Sequence, residues 1–563
     1  MTITVARPQT IPAARRTSGA HTIVVAVLVL GAGLGLGLLA LSLVPSGALA
    51  GRLLGAAGEA RAGAYTQDLS VYLDFRLRFA GTLVLLLVAG LLITRGAFEE
   101  LVAAALRDAW SRALPQPNRR TLLLVGLPML LALALRVPYL GQPMRYDEAL
   151  TFNEFASRPL YYGLSFYPDP NNHLLNTLLM HAAFVVGGNQ PWLLRLPALA
   201  GGVLLVAATY WLARLLYAQG AAVLAATLVA VSSYVIEYST NARGYTLQAL
   251  CFVTMLALVI VAARRPSLSA LLLAALVAAV GAYALPTMLY GVAVAAVWLF
   301  VERRRIAPRY LVASGLLLGL LCVVLYVPPM VISGPDKLLA NRFVVPLSLA
   351  ELPGELIQSL ASTWAFWNRD IPVLLAAVLL LGFGVTVLDD LRARRVPLGL
   401  LAPLVCLVVV LVQRVAPFER VWLFLLPVYL IMASAGLARF IDGRLLALVF
   451  GAILGFMTVT SGSILASTET GVFPDAGGVA STLAPRLAPD DAVITQLPAS
   501  LPELQYYFPR FGLPIDALVR GPEAAQNIWV VAPPGQTPTV DGFPKAIEVQ
   551  RYPSATLFEL TRG

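Results

Sequence analysis

Charge is what this sequence has least of: 12% of its 563 residues are Asp, Glu, Lys or Arg, against 59% hydrophobic residues and a mean hydropathy of +0.79. Soluble domains carry roughly twice that share of charge, so one aqueous core does not account for the chain. Cysteine is nearly absent. Cys251, Cys322 and Cys406 all sit inside apolar runs, which leaves neither a disulfide framework nor a thiolate metal spacing. Only His21, His173 and His181 are present, which argues against a multi-histidine metal centre. The net charge of +10 comes from arginine in the loops between apolar runs. That pattern orients membrane helices and does not point to nucleic acid.

What the sequence does have is long apolar runs. Runs of about 17 to 25 residues read as membrane-spanning helices, and they fall near 22–45, 79–97, 120–138, 192–217, 219–238, 243–262, 268–284, 285–301, 310–330, 372–390, 398–414, 421–439 and 444–466. The first follows Arg7, Arg15 and Arg16 and is too long for a signal peptide, so it reads as a retained span behind a disordered first 20 residues. Placing the N-terminus in the cytoplasm puts Arg107, Arg112, Arg264, Arg265, Arg303, Arg304, Arg305, Arg392 and Arg394 on the cytoplasmic side, as the positive-inside bias requires. An odd count, about thirteen spans, leaves the tail outside.

The expected fold class is therefore a polytopic α-helical protein of the inner (plasma) membrane with a small C-terminal extracytoplasmic α/β domain. Residues 1–118 hold an N-terminal tail and two extra spans. Residues 119–466 form a transmembrane core with outer loops at 139–191 and 331–371, and 467–563 form the domain. In that tail, Ala492–Thr495, Ile528–Val531 and Ala555–Leu560 read as strands around a helical stretch near Leu501–Phe511.

The outward loops carry the unusual residues. Asp147 and Glu148 closely follow the span at 120–138, where charge near hydrocarbon is costly and tends to be functional. A solvated turn is the plain alternative. Adjacent residues point in different directions, so Asp147 reads as a general base and Glu148 as a supporting acceptor or alternate base. Pro170-Asn-Asn-His173 precedes a short apolar helix near Leu174–Val186, whose N-terminal N–H groups suit an anion; simple capping is the alternative. His181 lies about two turns on, in a packing role. Arg243, Arg414 and Arg420 occur in very short outward loops against the positive-inside bias. Arginine there suits phosphate, with interfacial snorkelling as the alternative. Arg195 sits at the outer end of a span, placed to meet an acid.

The ordered set Tyr146-Asp-Glu-Ala149, Pro170-Asn-Asn-His173, Trp192-Leu-Leu-Arg-Leu-Pro197, Glu237-Tyr-Ser-Thr-Asn-Ala-Arg-Gly-Tyr245 and a late Arg420 resembles the GT-C superfamily of membrane glycosyltransferases. It looks most like bacterial relatives of the protein O-mannosyltransferases and of the lipid A aminoarabinose transferases, over about 119–466. The resemblance implies a polyprenyl-phosphate-linked sugar donor and inverting transfer with Asp147 as the catalytic residue. With the outward arginines read above, a substrate site is expected around Arg243, Arg420, His173, Arg195, Tyr245, Asn241 and Arg414. The acceptor is a glycolipid, a glycan or a protein. Asn241 stands where the family has an acid, and Leu174-Leu175 replace its usual Pro-Pro. The His-poor sequence gives no reason to demand a metal, although Asp147 and Glu148 offer ligands for a divalent cation. Competing readings are a transporter and a non-catalytic subunit of a cell-envelope polysaccharide assembly or export system. A transporter would be expected to show paired repeats and broken helices near the midplane.

Overall fold

A computed structural model describes residues 13–55, 59–111, 118–168, 170–302, 306–339, 345–440, 451, 455, 461–469 and 471–562. Among these, eight helices are long and apolar enough to cross a membrane: Val24–Leu41, Leu73–Ile93, Arg119–Tyr139, Leu196–Leu216, Tyr245–Arg264, Pro308–Ile332, Val373–Arg392 and Glu419–Phe440. Gln219–Val231 and Ser233–Ser239 make a ninth when taken as one span bent by 60°. The chain is a multi-pass membrane protein. The expected runs at 268–284, 285–301 and 398–414 form the shorter apolar helices Leu268–Ala284, Met288–Val301 and Leu398–Gln413. The last expected span, 444–466, lies outside the described residues except for 451, 455 and a 3-10 turn at Ser461–Ala466.

Several boundaries differ for local reasons. Ser232 is extended (φ −60°, ψ 119°) and breaks the run read as one span over 219–238. Leu285 is also extended, as a residue before proline prefers, so the next helix starts at Met288 and not at 285. The first helix begins at Ala13, inside the stretch expected to be disordered. Part of the first outer loop is helical, as Ser46–Gly55 and the start of Glu59–Ile93. The loop at 331–371 contains the helix Leu352–Trp367, which leaves Ile357, Leu360 and Trp364 exposed.

The bundle centres on Tyr245–Arg264, buried along nearly its whole length against Leu196–Leu216 and Leu268–Ala284. Two glycines set the close approaches that position the site, since a missing side chain lets backbones meet. A Cβ on Gly202 would lie 2.0 Å from Ser239 Oγ, so the end of Ser233–Ser239 presses directly on Leu196–Leu216. A Cβ on Gly244 would stand 3.2 Å from His173 Nδ1 and 3.0 Å from Ala284 O.

At one end of the bundle sits a four-stranded sheet. Its strands are β1 (Ala492–Thr495), β2 (Asn527–Ala532), β3 (Lys545–Arg551) and β4 (Thr556–Thr561), in the order β1-β2-β4-β3. The first pair is parallel and the other two antiparallel. The apolar strands are those read from the sequence. Strand β3 is an edge with a mostly exposed Lys-Ala-Ile-Glu-Val-Gln-Arg pattern and gives no buried alternation to read. Helices Ala476–Leu483 and Leu501–Tyr507 cover one face, with Leu483, Leu504, Trp529 and Leu557 in the core between.

Candidate active site

The span Arg119–Arg136 ends in a 3-10 turn, and the chain re-enters helix at Tyr146–Thr151, continuing as a π-helical turn at Phe152–Ala156. Glu148 is completely buried, and both its oxygens are fully engaged. Oε1 accepts from Arg195 Nε at 2.8 Å and from the Ala242 N–H at 2.5 Å. Oε2 accepts from Arg195 Nη2 at 2.6 Å and from the Arg145 N–H at 3.0 Å, the latter capping the helix. Burial alone would raise this carboxyl; the Arg195 charge and these hydrogen bonds outweigh it and hold it below its ordinary value.

Arg195 is equally committed. Its remaining N–H groups reach the carbonyls of Leu140 at 2.8 Å, Gln142 at 2.6 Å and Pro143 at 2.9 Å. A guanidinium has five donors, and all five are used within the protein. The substrate-binding role expected of Arg195 is therefore corrected: it ties three segments together and has no donor left for a ligand. Glu148 likewise has no lone pair free for a cation, and the described residues hold no group of three metal-ligating side chains. The Asp147-Glu148 pair does not fit a divalent ion.

Asp147 differs. Its side chain is 15% exposed, and its carboxylate lies 4.0 Å from Arg243 Nη2. Arg243 is buried, and its Nη1 donates to Thr151 Oγ1 at 2.7 Å and to Asn171 O at 2.9 Å. Arg243 Nη2 lies 3.1 Å from His173 Nε2, and the Gly244 N–H points at His173 Nδ1 from 2.9 Å. Burial, then the charges of Arg243 and Arg420, push His173 well below its ordinary value, so the ring is neutral. A neutral imidazole has one accepting nitrogen. One of its two contacts therefore sets a donor against a donor, with no acceptor between them. Tyr245 brackets the ring edge-on at 5.1 Å. Asn241 is buried in the same turn.

Arg420 is electrostatically coupled to Asp147, and its Nη1 donates to Glu469 at 3.3 Å. Glu469 also accepts from Tyr238 Oη at 2.7 Å. Beside it lies a cavity of about 380 Å³ between Phe366, Arg369 and the segment Ser463–Glu469. The buried Glu237 joins this wall, held by Arg145 at 2.6 Å and Arg369 at 2.5 Å. Arg414 stays apart. It is exposed, caps Leu398–Gln413 in a left-handed conformation, and no described contact joins it to Asp147. His181 Nδ1 meets Ala156 O at 2.8 Å, the packing role expected.

Sequence reasoning missed Glu237, Arg369, Glu469 and Glu503. The first two are ordinary loop charges in sequence, and their pairing appears only once residues 132 positions apart meet. Glu503 carried a faint signal, an acid among apolar and aromatic neighbours in Leu501-Pro-Glu-Leu-Gln-Tyr-Tyr507.

A helical bundle with a buried acid–arginine cluster at one end is the arrangement expected of the class the sequence resembles. Residues 174–327 match the family described as dolichyl-phosphate-mannose-protein mannosyltransferase. ArnT from Cupriavidus metallidurans shares the fold at 14% identity over 77% of this chain and 97% of that chain, with a TM-score of 0.52. The same figures hold for that protein bound to undecaprenyl phosphate. No curated protein matches this chain in sequence.

Proposed function

We propose that the protein is a glycosyltransferase that takes a sugar from a polyprenyl-phosphate carrier and transfers it, with inversion, to an acceptor hydroxyl. The site faces away from the cytoplasm at the inner membrane. The observation that carries this reading is the cluster of Asp147, Arg243 and His173, in which a partly open carboxylate stands beside donors that have no acceptor. A phosphate oxygen between His173 and Arg243 would satisfy both. That undecaprenyl phosphate binds a protein of the same fold supports the choice of donor.

In the proposed step the acceptor oxygen bonds to the anomeric carbon from the face opposite the phosphate. The carbon–oxygen bond to phosphate breaks, and its electron pair leaves with the phosphate. Asp147 takes the hydroxyl proton, general-base help worth roughly 10²–10⁴ in rate. Arg243 and Arg420 stabilise the charge that grows on the leaving phosphate, the kind of fixed donor that acts most strongly in a site closed to water. Glu469 holds Arg420 in the free protein and would yield it to the phosphate. An apolar cavity of about 180 Å³ lined by Trp364, Trp367, Phe383 and Tyr429 is present in the same bundle, and Trp367 is two residues before Arg369.

The test is release of undecaprenyl phosphate by the full-length protein in nanodiscs. The donors are undecaprenyl-phosphate-linked mannose, glucose, galactose and arabinose, offered with membrane glycolipid extract. Release from at least one donor, lost in Asp147→Asn, is expected. Equal release by that variant removes Asp147 as the base, and no release from any donor removes the reading.

A further inference from the structure

The extramembrane domain is not merely attached to the bundle; it lies on the acid-bearing helix. The Met144 N–H donates to Tyr507 Oη at 3.1 Å, Asn153 Nδ2 donates to Pro502 O at 2.8 Å, and the Tyr146 N–H donates to Gly471 O at 3.2 Å. Tyr506 packs edge-on against Phe152 at 5.4 Å. This docking buries Glu503 completely, and neither of its carboxyl oxygens has a hydrogen-bond partner. A buried, unmatched carboxyl is costly to ionise and is uncommon without a reason.

The charges around it are one-sided. The helix Tyr146–Thr151 brings Asp147 and Glu148, and the turn Phe152–Ala156 brings Glu154. Ala476–Leu483 brings no titratable side chain, and Ile515–Leu518 brings Asp516. On its own helix and the following turn are Tyr506, Tyr507 and Arg510, the last engaged with Asn189 and Gln190. The neighbouring charges that raise Glu503 are those of Asp147 and Glu148. Glu148 is already matched by Arg195, so Asp147 is the neighbour whose charge matters.

We propose that Glu503 is a positioning residue for Asp147: the two carboxyls, brought together across the junction of bundle and domain, hold one negative charge between them, with the proton on Glu503. Two carboxyls within electrostatic reach cannot both ionise cheaply in a dry setting. Asp147 has Arg243 and Arg420 to support its charge, and Glu503 has no more than its own backbone N–H. Burial, reinforced by the two neighbouring acids, pushes Glu503 up to about 8. Near neutral pH the domain therefore supplies a neutral acid that leaves Asp147 as the ionised base. The functional consequence rests on Asp147 being the base of the proposed transferase; the proton sharing itself does not.

The sign of the stability effect follows. The folded protein holds the Glu503 proton up to about pH 8, and the unfolded chain only up to its ordinary 4.5. The stability this group contributes is complete below about 4.5 and is lost as pH rises through about 8. Glu503→Gln, neutral at every pH and of the same shape, removes that loss.

The test follows the carboxylic-acid C=O infrared band of full-length protein in nanodiscs, with melting temperature alongside, from pH 4 to 10. Expected is a band that titrates near 8, is absent in Glu503→Gln, and titrates lower in Asp147→Asn, where the neighbouring charge is gone. Glu503→Gln should melt higher than wild type at pH 8 and equally at pH 4. A band titrating near 4.5, or one unmoved by Asp147→Asn, overturns the proposal. A purely structural role for Glu503 would leave the band indifferent to Asp147. If the transferase reading alone fails, no donor releases undecaprenyl phosphate while the coupled titration remains.

Discussion

Around Glu148 every polar atom is matched, whereas around Asp147, one residue earlier, several are not. Glu148 and Arg195 are both inaccessible, share two hydrogen bonds, and satisfy their remaining valences on Arg145, Ala242 and three carbonyls. Asp147 is partly open, its arginine stands off at 4.0 Å, and beside it a neutral histidine faces one donor too many. Complete satisfaction is what a structural ion pair looks like, because a half-matched buried pair would cost more than an apolar one. Incomplete satisfaction in a folded protein signals a place prepared for something else. Two adjacent acids thus divide: Glu148 fixes the segment Thr240–Gly244 in position, and Asp147 stays partly open beside Arg243.

The comparison breaks most visibly at Glu148. Glu148→Ala leaves Arg195 buried without its counter-charge, which costs about 3–5 kcal/mol. Little folded protein should be recovered, as read by monodisperse yield in detergent and by melting temperature. Asp147→Asn should fold and be recovered in wild-type yield while losing its turnover. If both variants fold equally well, the division of labour is wrong.

Much of this arrangement is legible in the sequence, and the reasons are physical. Apolar length and arginine placement follow from hydrocarbon thickness and membrane sidedness, so the spans and the helical class can be read directly. Asp147, Arg243 and Arg420 stand out because charge near hydrocarbon needs a cause. Arg195 stands out for the same reason, and the acid it is placed to meet is Glu148. The sequence shows a charge at a span end but not how many of its donors the fold consumes. Glu237, Arg369, Glu469 and Glu503 come from four separate segments, and their meaning exists only where those segments converge. Boundaries at Ser232 and Leu285 shifted because local backbone preference cut across continuous hydropathy.

Within the cluster the two arginines should separate. Arg243 both faces Asp147 and meets His173, so Arg243→Ala is expected to lower kcat and to weaken undecaprenyl phosphate binding. Arg420 touches Asp147 only through the field and is held by Glu469, so Arg420→Ala should weaken binding with a smaller change in kcat. A charged hydrogen bond is worth roughly 1.5–3 kcal/mol, or about tenfold to a hundredfold in affinity. Competition with soluble short-chain polyprenyl phosphate reads both numbers. Equal effects on kcat in the two variants would mean that the proximity of Arg243 to Asp147 carries no weight.

The smallest effect is expected at Arg414, which the sequence groups with Arg243 and Arg420 and the structure sets apart. Its backbone is left-handed, at φ 56° and ψ 40°, closing the helix Leu398–Gln413 while its side chain points to the surface. Its carbonyl accepts the Leu347 N–H at 2.7 Å, an interaction any residue provides. Left-handed backbone costs a residue with a Cβ about 1–2 kcal/mol, and glycine adopts it freely. Arg414→Gly should therefore keep the affinity for polyprenyl phosphate and melt at the same temperature or slightly higher. A clear loss of affinity in that variant would return Arg414 to the phosphate site and show that the exposed loop moves onto the donor.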